Sequence, residues 1–294
     1  MRTILLIGKT GQVGFELERA LNPLGRLIAP DRSLLDLTDP DSILRVIEDC
    51  KPDAVVNACG FTMVDDAESQ AALTMQLNAI GPGIVAEAAK RAGAVLLHFS
   101  STYVFDGTKR TPYTEDDIPN PVNTYGYSKL QGENAIVASG ASYIILRANW
   151  VYSTRRRNFA LTMLKAAREQ SELRVVTDQV GTPTWAFDYA EATAELLRNP
   201  AKLRENPGIY HLSAESQCTR MTWAETLVAS ARTVSGMALG WAALHPTISA
   251  EYPLPAVRPL YTVTSNRKIA QTFGISMPAW NDRTEAFVRT LPSG

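Results

Sequence analysis

Ile4-Leu5-Leu6-Ile7-Gly8-Lys9-Thr10-Gly11-Gln12-Val13-Gly14 is the stretch that decides the fold. A short apolar run passes into glycines at the first, fourth and seventh positions of Gly8–Gly14, and a helical pattern follows over Gln12–Leu21. The glycines allow a tight turn and a close backbone approach, and the start of the helix turns its free N–H groups toward the same point, which suits a phosphate. Context weighs more than spacing here. A strand before, a helix after and a place next to the start of the chain are what a dinucleotide-binding loop requires. Lys9-Thr10 do not make an ATP-type phosphate loop, because the GxxxxGK[ST] order is absent.

The same rhythm continues outward. Leu27–Ala29, Ala54–Val56, Val95–His98 and Ile144–Leu146 are further apolar segments of strand length, and their continuous apolarity suits a parallel sheet covered on both faces. Pro40–Glu48, Leu73–Ala89 and Tyr125–Ala138 read as the intervening helices. The expected fold class is α/β, a Rossmann-type doubly wound parallel sheet, with ligands beyond the carboxyl ends of the strands. After Trp150 the pattern loosens. Helices are expected at Phe159–Arg168, Phe187–Leu197 and Thr222–Thr233, with a last one near Ser265–Phe273, and short strands at Leu173–Val176 and Gly208–Ser213. We read residues 1–150 as a dinucleotide-binding domain, to which segments around 173–200 can return, and 151–294 as a smaller, mainly substrate-binding domain.

Composition narrows the partners. Lys and Arg number 29 against 30 acidic residues, a balance that gives neither nucleic acid nor a membrane surface a field to respond to. No apolar run is long enough for a membrane span, and Met1-Arg2-Thr3 with Ile4–Ile7 is too short for an export signal. Cys50, Cys59 and Cys218 are odd in number and lack a CxxC spacing, which fits a cytoplasmic protein without disulfides. His98, His211 and His245 form no ligand cluster, so no metal site is read from the residues.

Two residues at the end of the second strand point in opposite directions. Asp31 can accept hydrogen bonds from a ribose and favour NADH, whereas Arg32 can meet a 2′-phosphate and favour NADPH. Small residues after the third strand, Ala58, Cys59 and Gly60, leave room for a cofactor crossing the strand ends. Tyr125 and Lys129 stand four residues apart and share a helix face. An ammonium beside a phenol is expected to lower the tyrosine pKa, so that Tyr125 gives a proton to an alkoxide as hydride arrives, while Lys129 also holds the nicotinamide ribose. The fourth strand runs into Ser100-Ser101-Thr102, where Ser101 is our choice of hydroxyl for the carbonyl oxygen and Ser100 and Thr102 are alternatives.

With these motifs in hand, the chain resembles the dTDP-4-dehydrorhamnose reductases of the extended short-chain dehydrogenase/reductase superfamily. The matching text includes GKTGQVG at Gly8–Gly14, VNACGFTMVDDAES at Val56–Ser69, FSSTYVFDG at Phe99–Gly107, PVNTYGYSKLQGE at Pro121–Glu133, RANWVY at Arg147–Tyr152 and GTPT at Gly181–Thr184. The resemblance implies reduction of the C4 ketone of a dTDP-linked 4-dehydro-6-deoxyhexose with NADPH or NADH, the namesake product being dTDP-L-rhamnose. It implies Tyr125 as proton donor, Lys129 as its partner and Ser101 in the place of a carbonyl-contacting threonine. Gly11, Gln12 and Val13 are implied at the pyrophosphate, Asp36 and Leu37 at the adenine, and Ala58, Cys59 and Thr62 along the cofactor. Val64, Thr102 and Trp150 are implied on the substrate side, and a homodimer as the assembly. Some members hold Mg2+ through glutamates at a dimer interface. Glu16 matches one of these, but Phe187 stands where another would be expected, which counts against the metal. Ser101-Thr102 in place of the usual Thr-Asp removes an acidic side chain that bears on the choice of sugar, so another deoxyhexose remains open.

Two other classes compete. A nucleotide-sugar dehydratase needs an acidic pair after Ser101, where Thr102-Tyr103 stand instead, and an epimerase can use the same tyrosine without net consumption of cofactor. A non-catalytic regulatory subunit, like the relative found in methionine adenosyltransferase complexes, has no need of an intact Tyr125, Lys129 and Ser101.

Overall fold

A computed structural model describes residues 2–236 and 240–291; Met1 and residues 237–239 and 292–294, which end the expected substrate-binding half, lie outside the described residues. The first half forms strands β1 (Thr3–Ile7), β2 (Arg26–Ile28), β3 (Ala54–Asn57), β4 (Val95–Ser101) and β5 (Ser142–Ala148). Between them run helices α1 (Gln12–Leu21), α2 (Pro40–Cys50), α3 (Val64–Ser69), α4 (Ala71–Met75), α5 (Gly81–Arg91) and α6 (Thr124–Ser139). The sheet is wholly parallel, in the order β2-β1-β3-β4-β5 with Gly208–His211 as a sixth strand beside β5. Chain from beyond residue 150 therefore completes the central sheet.

Alternation along the strands explains why both faces are covered. Ile4, Leu6, Val56, Leu97 and Ile144 face a core shared with Leu17 of α1 and with Tyr189, Ala190 and Leu197 of the helix Ala186–Arg198. Leu5, Ile7, Val55, Leu96 and Ile145 face the opposite core, built with Ile43 and Ile47 of α2, Val85 and Ala89 of α5 and Ile136 of α6. Each such aliphatic side chain contributes about 1.5–3 kcal/mol over an exposed one, so these two layers, not any polar contact, carry the sheet. Tyr152, Trp185, Trp223, Trp280 and Phe287 form a separate aromatic core from residues after 150.

Several elements differ from expectation, among them short helices at Val64–Ser69 and Pro200–Glu205 and a strand at Ala243–Thr247. Leu73–Ala89 is not one helix: between α4 and α5, Gln76–Ile80 adopts a π turn in which the Gly81 N–H donates to the Gln76 carbonyl. Pro82 supplies the reason, since it has no N–H for the carbonyl four residues earlier. A further helix, Trp280–Arg289, is the last among the described residues and packs Trp280, Thr284, Phe287 and Val288 inward.

Candidate active site

Because β1 is followed by β2 on one side and later by β3 on the other, the crevice at their carboxyl ends is the topological switch point. Gly8 lies there at φ +90°, and a Cβ on it would sit 2.7 Å from the Cys59 nitrogen. Gly14 brings α1 so close that its Cβ would fall 2.0 Å from the Gly8 carbonyl oxygen. Gly11 closes the loop by donating its N–H to Gly8 O at 3.0 Å, and as N-cap of α1 it offers no side chain to the helix's first N–H groups. Those donors, with Gln12 and Val13 in the first turn, fit the diphosphate of a dinucleotide.

The two competing residues after β2 are both already paired. Lys9 Nζ lies 3.0 Å from the Asp31 carboxylate, and Arg32 Nε donates to Asp36 at 2.8 Å. Thr38 N and Oγ1 also donate to Asp36, each at 2.9 Å, which fixes that carboxylate beyond the end of β2. The Leu37 side chain is buried in the core beneath, which leaves its backbone at the crevice.

At the end of β4 the pleat separates the three candidate hydroxyls. Ser100 points to the interior and donates to Glu133 at 2.5 Å. Thr102 is fully buried with its Oγ1 unpartnered. Ser101 accepts the Tyr103 N–H at 3.2 Å and lies beside the Tyr125 phenol. Tyr125 enters on the first turn of α6, which Asn123 caps by accepting from the Gly126 N–H at 2.8 Å. Glu68 of α3 pins that turn by accepting from Thr124 N at 2.9 Å and Oγ1 at 2.7 Å.

Lys129 departs from its expected effect on Tyr125. Its ammonium donates to the Phe99 carbonyl at 2.6 Å, and burial lowers its pKa to about 8 against the opposing charges of Glu133 and Cys59. The phenol is pushed up to about 12 by burial, with the neighbouring Ser101 hydroxyl only partly offsetting it. Desolvation outweighs any help from the lysine, and Tyr125 is a neutral acid in this state.

Two neighbours, Asn78 and Arg220, had no signal in the spacing of motifs. The π turn delivers Asn78, whose carboxamide accepts from Phe61 N at 2.8 Å and donates to Phe61 O at 3.0 Å and Ser128 Oγ at 2.9 Å. It thereby holds the segment carrying Gly60, Thr62 and Val64 against α6. Trp150 adopts φ +40°, a strained value for so large a side chain, and the Arg220 guanidinium lies 3.6 Å from its ring centre. Arg258 pairs with Asp65, next to Val64, at 2.7 Å.

His98 is fully buried, contacts Asn57 through Nδ1 at 3.2 Å and is held well below its usual pKa by burial, as a structural side chain would be. The described residues contain no group of three or more His, Cys, Asp or Glu placed to hold a metal. Around Glu16 a cation is already built in: Arg19 lies 3.7 Å from Glu16 and 2.6 Å from Glu191, over the Phe187 ring at 4.3 Å. That set does not fit Mg2+, because a guanidinium occupies the space between the carboxylates.

A tyrosine and a lysine one helical turn apart, at the mouth of a dinucleotide crevice and beside a strand-end hydroxyl, place the chain in the extended short-chain dehydrogenase/reductase class of nicotinamide-dependent oxidoreductases. The family model described as RmlD substrate binding domain matches residues 1–292. The chain is 42% identical to the dTDP-4-dehydrorhamnose reductase of Burkholderia thailandensis, over 99% of both chains. It is 39% identical to that of Escherichia coli K12, over 94% of both. The crystal structure of the Bacillus anthracis dTDP-4-dehydrorhamnose reductase in complex with NADP superposes with a TM-score of 0.90 at 30% identity, covering 98% of this chain and 99% of that one. This chain belongs to the dTDP-4-dehydrorhamnose reductase family.

Proposed function

We propose that this protein reduces the C4 ketone of dTDP-4-dehydro-6-deoxy-L-mannose to give dTDP-L-rhamnose, NADPH or NADH supplying the hydride and Tyr125 the proton. The placement of Tyr125 and Lys129 on α6 and of Ser101 at the end of β4, with the Gly8–Gly14 cradle at the same strand ends, carries the reading. Gly8, Gly11, Gln12 and Val13 would hold the cofactor diphosphate, Asp31, Arg32 and Asp36 its adenosine side, and Ala58, Cys59, Gly60 and Thr62 its passage across the strand ends. Ser101 would hold the substrate oxygen, with Val64 and Trp150 against the sugar. An alkoxide is a stronger base than phenolate, so the Tyr125 proton moves downhill onto it. The phenolate left behind is stabilised by Ser101 and by the charge of Lys129 in a poorly solvated site.

The reading includes the cytoplasm, which Cys50, Cys59 and Cys218 as free thiols support, and a homodimer, which family resemblance supports and sedimentation measures. No helix among the described residues is long and apolar enough to cross a membrane. The deciding assay supplies dTDP-4-dehydro sugars with each reduced cofactor, follows its absorbance and identifies the product's C4 configuration. Turnover without net loss of reduced cofactor would point to an epimerase instead.

Lys129 also sets a pH dependence. It holds its proton below about 8 and loses it above, so kcat/KM falls as pH rises through that value. Tyr125, at about 12, stays protonated across the range and adds no limb. A kcat/KM profile flat to about pH 10 would show that the ammonium is not needed.

A further inference from the structure

Arg220 begins the helix Arg220–Ser235 and forms no ion pair with a carboxylate among the described residues. Its guanidinium carbon lies 3.6 Å from the ring centre of Trp150, 4.7 Å from Phe159 and 5.6 Å from Trp223. Aromatic faces offset part of the cost of burying a cation, but they do not neutralise it. The guanidinium also lies beside the Tyr103 phenol, whose ring stands edge-on to Tyr125 with centres 5.8 Å apart. Burial lowers the guanidinium pKa to about 10, and the charge of Arg258 acts in the same direction. Arg258 itself is satisfied by Asp65 at 2.7 Å and the Ala256 carbonyl at 3.0 Å. Of two neighbouring arginines, one has its counter-ion and the other does not.

We propose that Arg220 receives the diphosphate of the nucleotide-linked sugar, so that the substrate brings the negative charge the fold withholds. The inference rests on the proposed nucleotide-sugar reading. A hexose with C4 at Tyr125 carries its diphosphate on C1, across the width of one ring, and a single side chain, Tyr103, spans the way from Tyr125 to Arg220. A guanidinium laid over an aromatic face keeps its N–H edge free, and that planar edge matches two phosphate oxygens. Trp150 thus serves two ends of one ligand, bordering the sugar and carrying the cation for its phosphates.

The test is calorimetric binding of dTDP and of NADPH to the wild-type chain, Arg220→Gln and Arg220→Lys, at several salt concentrations. Arg220→Gln is expected to weaken dTDP by about 10- to 100-fold, to leave NADPH within about threefold and to flatten the salt dependence of dTDP binding. Arg220→Lys keeps the charge without the fork and weakens dTDP by about three- to tenfold. It decides the matter if Arg220→Gln does not fold. Equal dTDP affinity in variant and wild type overturns the assignment, as does weaker binding with an unchanged salt slope, which a purely structural role would give. A wild-type chain that binds UDP or GDP through Arg220 but not dTDP would sink the dTDP reading and keep the diphosphate assignment. Binding of none of the three overturns both.

Discussion

Tyr125→Phe lowers kcat for ketone-dependent oxidation of NADPH by about 10³-fold, within the range for loss of a positioned general acid, while NADPH affinity stays within about twofold. The substitution removes one oxygen and little else. The ring still packs edge-on against Tyr103, Asn123 still caps α6, and Lys129 still donates to Phe99 O. The Gly8–Gly14 loop is untouched, so cofactor binding has no reason to change. What disappears is the neutral acid beside Ser101, and water is a poor replacement where burial pushes a phenol to about 12. Stopped-flow absorbance gives kcat, and fluorescence titration gives the NADPH affinity. A variant that keeps kcat within tenfold of wild type would remove Tyr125 from the role of proton donor.

How much of this was readable from the chain depends on how local the cause is. The five strands and α1 were legible because an apolar run and a glycine loop are properties of adjacent residues. Tyr125, Lys129 and Ser101 were legible as a group because one helix turn and one strand end place them without help from distant chain. Asn78 was not, since a five-residue π turn set by Pro82 disappears within the periodicity of Leu73–Ala89. Arg220 was not, because its partners Tyr103, Trp150 and Phe159 come from three distant segments. The helix Trp280–Arg289 escaped notice with only Trp280, Phe287 and Val288 as large apolar positions among polar ones. The sign of the Tyr125 shift was misread for a related reason. Spacing puts the lysine near the phenol, but the balance between charge and burial depends on what the whole fold packs around them.

The buried ion pair beneath this site yields the largest expected loss of stability. Arg147 Nε and Nη2 donate to the two Glu133 oxygens at 2.9 and 2.6 Å, with both side chains almost wholly buried. Glu133→Gln keeps the shape and removes the charge, leaving Arg147 buried without its counter-ion. His211, 3.5 Å away and held to a pKa of about 3 by burial and by Arg147, stays neutral and cannot compensate. Breaking one side of such a pair costs about 3–5 kcal/mol. For a chain of this size that is a fall in melting temperature of roughly 10 °C. Replacing both partners, as in Glu133→Gln with Arg147→Met, removes the stranded charge and should recover a large part of that loss. The coupling between the two changes separates a lost ion pair from a simple packing defect, which would add rather than cancel. Because Ser100 donates to the same carboxylate at 2.5 Å, the single variant also loosens the strand end that presents Ser101. Its surviving folded fraction should therefore show a reduced kcat together with the lower melting temperature, and an unchanged melting temperature would show that Arg147 finds its compensation elsewhere.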